Sequence, residues 1–173
     1  ATPFGVFLKP TERCLGDVLK DAGYACGYIG KWHLDAPDAP PAPNWQTAVW
    51  DAYTPPGPKR HGFDFWYSYG CHNNHLKPFY YVGDRGPNEK IVVDQWSPEH
   101  EADVACRFIR NAEGGLRDPA KPFALMVSMN PPHMPYNAVP ERYKAMYGKA
   151  TSRDLLTRPN VRFEGEALRA EKS

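Results

Sequence analysis

Several things are missing from these 173 residues. Neither sign of charge dominates: 21 Lys and Arg stand against 20 Asp and Glu, a formal net charge of +1. A nucleic-acid binder would show a clustered basic excess, so that class is set aside. No apolar run approaches the roughly 20 residues that span a bilayer, which removes a membrane-spanning helix. The chain does not open with a charged n-region and an apolar h-region, so no signal peptide is visible; the start reads as truncated. Cysteine is scarce. Cys14, Cys26, Cys71 and Cys106 show no C-x-x-C spacing, which fits neither a zinc pattern nor a dense disulfide framework. Free buried thiols are the expectation. A Gly-x-x-x-x-Gly-Lys-Ser/Thr phosphate loop is absent as well.

Proline, by contrast, is abundant. The 19 prolines are about twice the usual 5% share. They cluster at 37–43, 55–58 and 131–140, which marks rigid loops between elements. Residues 35–60 read as one long loop, and loops of that length in compact domains are functional or disordered. Trp45 and Trp50 within it argue against disorder. The length suits one domain. The mean hydropathy of −0.63 is polar for a self-sufficient domain of this size, so part of the core is expected outside this chain.

The pattern alternates helix and strand. Thr11 reads as an N-cap with Glu12 in the first turn. Leu15, Val18, Leu19 and Ala22 form an apolar face at helical spacing, and Gly23 stops the helix. Tyr24 to Ile29 reads as a short buried strand, with Gly30 turning the chain where it ends. The aromatic run from His61 to Tyr69 reads as a strand or turn against the main sheet. Phe79–Val82 and Lys90–Val93 suit a hairpin around Gly83–Gly86. Ser97-Pro98 opens a helix whose stripe is Ala102, Ala105, Phe108, Ile109 and Ala112, ending near Gly114-Gly115. The continuous apolar run Phe123–Met129 is the signal of a central parallel strand buried on both faces. A short helix is expected at 141–147. Residues 1–147 thus form the organised part, and 148–173 read as a polar, loop-like or poorly ordered tail.

Chemistry-bearing side chains gather at strand ends. Lys31 and His33 follow the first strand, with Trp32 between them. Ligands in open α/β sheets sit beyond the carboxyl ends of the strands, and a lysine with a histidine there suits an anion. A plain βα connection with a surface lysine is the rival reading. His133 follows the Phe123–Met129 strand, flanked by prolines. His72 and His75 form H-x-x-H, a weak zinc pair without further ligands at metal spacing; no metal site is assigned. His72, Asn73, Asn74 and His75 suit either a substrate pocket or a surface loop. Trp66, Tyr67 and Tyr69 suit either core or a platform for a sugar ring. His61 and His100 read as surface or capping residues. Glu99, Glu101 and Asp103 read as a solvated helix face.

Three segments carry a family likeness. Gly23-Tyr24 through Gly30-Lys31-Trp32-His33-Leu34 resembles the second signature of the sulfatases, with Cys26 where that family usually has Ser or Thr. Gly62-Phe63-Asp64-Phe65-Trp66 resembles a Gly-Phe-Asp-x-Phe/Trp segment at the same place in chain order. Asn130-Pro131-Pro132-His133-Met134-Pro135-Tyr136 resembles the family's Asn-x-Pro-His-x-Pro-Tyr stretch after a core strand. The likeness covers roughly 130 residues in the right order.

The resemblance implies an α/β fold: a partial alkaline-phosphatase-like sandwich with a mostly parallel central sheet, incomplete at both ends. It implies a sulfuric ester hydrolase. Lys31 and His133 would bind sulfate, His33 would serve the nucleophile, and His133 would serve the leaving group. The substrate expected is a sulfated carbohydrate, or another small sulfate ester. His72, Asn73 and His75 are added as substrate-binding candidates, on the guess that the aromatic, amide-rich loop at 66–81 meets sugar. The family's nucleophile is a formylglycine made within Cys/Ser-x-Pro-x-Arg, and its metal is usually calcium, held by Asp-Asp and Asp-Asn/His pairs. Neither pattern occurs in this chain, so both are expected outside it. The chain then reads as an internal fragment, inactive alone, of a periplasmic or secreted parent. A phosphoesterase or phosphonate hydrolase of the same superfamily, or a non-catalytic glycan-binding module, remains open.

Overall fold

The computed structural model describes residues 7–35 and 51–163. Trp45, Trp50 and Val6 of the expected edge strand lie outside those residues, and Phe7 and Leu8 are not in a strand. The chain divides into two compact units at Val139 and Pro140. Among the described residues, no helix is long and apolar enough to cross a membrane.

The first unit is built on a mixed sheet of five strands in the order β4-β3-β2-β1-β5. These are β1 (Ala25–Lys31), β2 (Phe65–Tyr69), β3 (Phe79–Val82), β4 (Ile91–Val92) and β5 (Phe123–Ser128). β1 runs parallel to both β2 and β5, with Gly27 opposite Phe65 and Leu125. β2–β3 and β3–β4 are antiparallel, so the expected hairpin forms. The helix α1 (Leu15–Asp21) precedes β1, and α2 (Ser97–Arg110) lies between β4 and β5.

The period of two along a strand divides the core. Ile29, Tyr67, Tyr69 and Tyr80 pack with Val104 and Ala105 of α2. On the opposite face Cys26, Tyr28, Trp32, Phe63 and Trp66 cluster, with Leu19 of α1 against them. In that second cluster Trp32 meets Tyr28, Trp66 and Phe63 edge-on, with ring centroids 4.9, 5.2 and 6.4 Å apart. Edge-to-face pairs add roughly 0.5–1.5 kcal/mol each beyond their buried area. This fixes the strand end from which Lys31 and His33 project.

Several expectations need correction. α1 begins at Leu15 with Cys14 as its N-cap. The Asp17 carboxylate accepts from the Cys14 amide at 2.9 Å, so it occupies the capping role expected near Thr11. Leu15 and Val18 are exposed, because the described core meets this helix chiefly through Leu19 and Gly16. β1 continues two residues past Ile29, and Gly30 stays in the ladder opposite Ser68 and Ser128. β5 is parallel, as expected, but it closes one end of the sheet and leaves Phe123, Met126 and Val127 exposed; no described strand lies beyond it. His61 is buried, donating from Nδ1 to the Glu12 carbonyl at 3.1 Å and stacking 6.2 Å from Trp32. His100 is half-buried between Tyr67 and Gln95. The second unit holds α3 (Glu141–Tyr147) and a single turn, α4 (Ser152–Leu155), whose start is capped by Thr151 and Asp154.

The largest departure is Glu101. It is fully buried, 0% exposed, one and two turns before Ala105 and Phe108 on the face that α2 turns to the sheet. Tyr80 donates to Oε1 at 3.1 Å, and Oε2 has no hydrogen-bond partner. Burial pushes its pKa up to about 8, against the opposing hydrogen bonds from Tyr80 and Tyr69. The protonated acid is the form the folded protein favours at neutral pH. The stability this contributes is complete below about pH 4.5, the ordinary value, and is lost as pH rises through the folded value. Glu101→Gln mimics the protonated acid and removes this dependence. Denaturant titrations should therefore show the Gln variant gaining stability relative to the parent from pH 5 to pH 9. A difference that stays constant over that range would contradict the assignment.

Candidate functional site

Lys31 is the last residue of β1, and its neighbour β5 ends two residues before Asn130. The parallel register places these carboxyl ends side by side. The Lys31 ammonium donates to Asn130 Oδ1 at 3.1 Å and to Asn73 Oδ1 at 3.3 Å. Two of its three N–H groups are thus committed to amide oxygens. Asn130 is buried, and its Nδ2 lies 2.9 Å from the His72 carbonyl, 3.0 Å from Asn73 Oδ1 and 3.1 Å from His75 Nε2. One amide therefore ties the end of β5 to the 72–75 loop and to Lys31. Because Asn130 Nδ2 can only donate, the His75 Nε2 facing it must carry a lone pair.

The strand end is shaped by glycine and by an unusual histidine. Gly30 has φ +95°, and a Cβ there would stand 2.3 Å from the Ser128 carbonyl oxygen. The backbones of β1 and β5 thus approach closely only because this residue has no side chain. The Ser68 hydroxyl donates to the Gly30 carbonyl at 2.7 Å. The ladder to β2 continues past the strand, with Trp32 and His33 amides donating to the carbonyls of Tyr69 and Gly70. His33 adopts φ +50°, a left-handed conformation uncommon for a residue with a side chain.

Burial and neighbouring charge act together on several of these groups. Burial lowers the pKa of Lys31, with Cys71 and Asp51 acting in the opposite direction. His33 is lowered by burial first, then by Lys31 and His133. His75 is lowered by burial, then by His133, Lys31 and His72. Positive charge at Lys31 and at His133 thus acts on both His33 and His75. His133 is exposed, and its Nδ1 donates to the Met134 carbonyl at 2.8 Å, which leaves Nε2 to face outward.

The sequence candidates divide by what surrounds them. Lys31, Asn73 and His75 are joined through Asn130, His133 lines a pocket with His75, and His33 is within reach of the Lys31 charge. The His72 ring is held inside: it stacks 4.0 Å from Tyr69, donates from Nε2 to the Phe79 carbonyl and accepts the Asn74 amide. Both ring nitrogens are taken, so its ring braces the loop while its carbonyl meets Asn130. Trp66, Tyr67 and Tyr69 are buried, which removes them as sugar platforms. Asn130 is the residue that sequence reasoning passed over, although it opens the quoted Asn-x-Pro-His stretch.

The cluster offers nitrogen donors and amide oxygens. Calcium takes 6–8 oxygen ligands, carboxylates prominent among them, and the residues here do not fit it. Asp51, a carboxylate acting on Lys31, is engaged by the Cys71 amide at 2.9 Å and the Tyr81 hydroxyl at 3.1 Å. Among the described residues, Cys14, Asp17 and His61 could approach one metal ion; that cluster of one sulfur, one carboxylate and one imidazole does not suit calcium either.

Comparison with known proteins gives a consistent picture. A sulfatase family model matches residues 1–158. The chain is 42% identical over 163 residues to an endo-4-O-sulfatase of Bacteroides thetaiotaomicron, covering 89% of this chain and 31% of that protein. It is 32% identical over 170 residues to an ulvan-active sulfatase of Formosa agariphila, covering 96% and 29%. A crystal structure of a Bacteroides fragilis protein bearing the sulfatase name yidJ superposes with a TM-score of 0.77 at 43% identity, covering 95% of this chain and 35% of that one. The chain spans about 30% of the length of the curated relatives it matches.

The close approach at Gly30 yields a test. Gly30→Ala must push Ser128 away and strain the backbone, a cost of more than about 2 kcal/mol. A lowered denaturation midpoint is expected; an unchanged one would mean the two strand ends are not pinned as described.

Proposed function

The chain belongs to the sulfatase family, and from that premise we propose that it carries the sulfate-gripping part of a sulfuric ester hydrolase acting on a sulfated carbohydrate. The observation that carries this reading is the Lys31 ammonium fixed between Asn73 and Asn130, with the His75 ring joined to it through Asn130. The substrate class rests on the relatives named for 4-O-sulfated and ulvan substrates. A periplasmic or secreted location is part of the same proposal and rests on the family alone.

Sulfatases generally use a formylglycine and calcium. This chain holds no Cys/Ser-x-Pro-x-Arg motif, and its cluster does not fit calcium, so neither group enters the steps below. The 173 residues are accordingly expected to show no turnover without the rest of the protein. Net hydrolysis breaks the S–O bond of the ester. Water gives its oxygen to sulfate and a proton to the leaving alcohol.

Lys31 holds a sulfate oxygen through its third N–H. At 4 Å and an effective dielectric near 20, such a pair is worth about 4 kcal/mol before desolvation. Charge that grows on the sulfate oxygens as the bond breaks strengthens the contact and lowers the barrier. His33, kept neutral by burial and by the Lys31 charge, accepts a proton on the attacking side. His133 donates from Nε2 to the ester oxygen when protonated, because its Nδ1–H is spent on Met134.

Two measurements on the full-length protein test this. Lys31→Ala or His133→Ala should lower kcat/KM by more than 10-fold, about 1.4 kcal/mol; a smaller loss removes the residue from the mechanism. The base form of His33 is required and its pKa lies below 6.5. Activity should therefore fall on the acid side with a midpoint below pH 6.5. An acid limb centred above 6.5 would rule His33 out as the base.

A further inference from the structure

Asp51 acts on Lys31 yet has no part in the steps above. Both of its oxygens are engaged: Oδ1 accepts from the Cys71 amide at 2.9 Å and Oδ2 from the Tyr81 hydroxyl at 3.1 Å. Its own stretch of chain is firmly held. Ala52 and Thr54 are buried, Arg60 donates from Nε and Nη2 to the Thr54 carbonyl, and the Tyr53 ring meets Tyr81 edge-on at 5.2 Å. A Cβ at Gly70 would stand 2.3 Å from the Ala52 nitrogen and 2.8 Å from Asp51 Oδ1. Residues 51 and 52 therefore pack against the turn after β2 because position 70 carries no side chain.

Two routes lead from this carboxylate to the site. The first runs through backbone. Asp51 fixes the Gly70-Cys71 turn, and the Gly70 carbonyl accepts the His33 amide at 3.0 Å, so the left-handed His33 leans on a turn that Asp51 holds. Tyr81 lies opposite Ser68 in the sheet, and Ser68 lies opposite Gly30, which ties the other oxygen to the row just before Lys31. The second route runs through charge. Neither hydrogen bond needs a charge, since an amide could accept from Cys71 and donate to Tyr81. The charge bears on Lys31, where burial favours the neutral amine while Cys71 and Asp51 favour the cation. Burial, with Asp51 adding to it, pushes the Cys71 thiol up to about 11. At neutral pH that thiol is uncharged, and the negative charge comes from Asp51. His33, His72 and His75 also feel Lys31, and their protonation would work against the ammonium.

We propose that Asp51 is a positioning residue of the anion site: its carboxylate holds the turn on which His33 docks and keeps Lys31 an ammonium. The inference deepens the hydrolase reading above and rests on it. In this role Asp51 acts through Lys31 and His33 and does not touch the sulfate.

The test compares Asp51→Asn and Asp51→Ala in the full-length protein. Asn keeps both hydrogen bonds and loses the charge; Ala loses all three. The first readout needs no turnover. Acylation of Lys31 by acetic anhydride is followed against pH by mass spectrometry of the peptide that carries it, which gives the pH at which the ammonium loses its proton. That midpoint should fall by about half a pH unit or more in both variants. The second readout is kcat/KM for 4-nitrophenyl sulfate. The Ala variant should lose at least about 10-fold, and the ratio of the Asn variant to the parent should decline from pH 7 to pH 10. An unmoved Lys31 midpoint in the Asn variant overturns the proposal and leaves the hydrolase reading intact, and so does an Asn-to-parent ratio that is flat with pH. Because Asn preserves the contacts, it decides the matter even where the Ala variant does not fold. If the parent hydrolyses neither 4-nitrophenyl sulfate nor a 4-O-sulfated glycosaminoglycan disaccharide, the hydrolase reading falls and the positioning role falls with it, whatever the Lys31 midpoint does.

Discussion

The whole arrangement turns on one buried amide. Asn130 accepts from Lys31 and donates into the 72–75 loop, so a residue just past one strand holds the cation at the end of its neighbour. Removing a buried amide of this kind strands several partners at once, and each unsatisfied buried group costs about 1–3 kcal/mol. The lysine is consequently held in place before any anion arrives. Electrostatic stabilisation of a reaction depends on that preorganisation, since nothing has to be reoriented as charge develops.

Around this hub the fold supplies rigidity from two directions. The aromatic cluster under Trp32 anchors the outgoing chain on one face. On the other face α2 brings Glu101 beneath the end of β1: its Oε2 would stand 3.4 Å from a Cβ at Gly30. A carboxyl in that position is tolerable only as a neutral, hydrogen-bonded acid, because an unpaired buried charge is far more costly. Tyr80 donates to one of its two oxygens, and Tyr69 lies opposite Lys31 in the sheet.

Much of this was legible from residues alone, and the failures have physical causes. Strand ends bearing Lys31, His33 and His133 could be read because glycine, proline and apolar runs punctuate the chain locally. Asn130 could not be singled out, since its importance comes from meeting His72 and His75 across more than fifty residues of sequence. Glu101 was misplaced by its charge. Its spacing, four before Ala105 and seven before Phe108, set it on the apolar stripe, and that periodicity was the better guide. His61 was misread in the same way, as a polar residue outside, when its ring fills space against Trp32. Phe123–Ser128 was read correctly as a parallel strand, but burial on both faces requires neighbours that the described residues do not supply.

That last strand has a practical side. The outer rim of Phe123–Ser128 carries backbone donors and acceptors with no described strand beside them, flanked by Phe123, Met126 and Val127 in the open. Such a rim is a template on which a further strand can be laid, whether from the remainder of the same polypeptide or from another copy. Handled by itself, this stretch of chain would tend toward clumping, and its solubility would depend on the company it keeps.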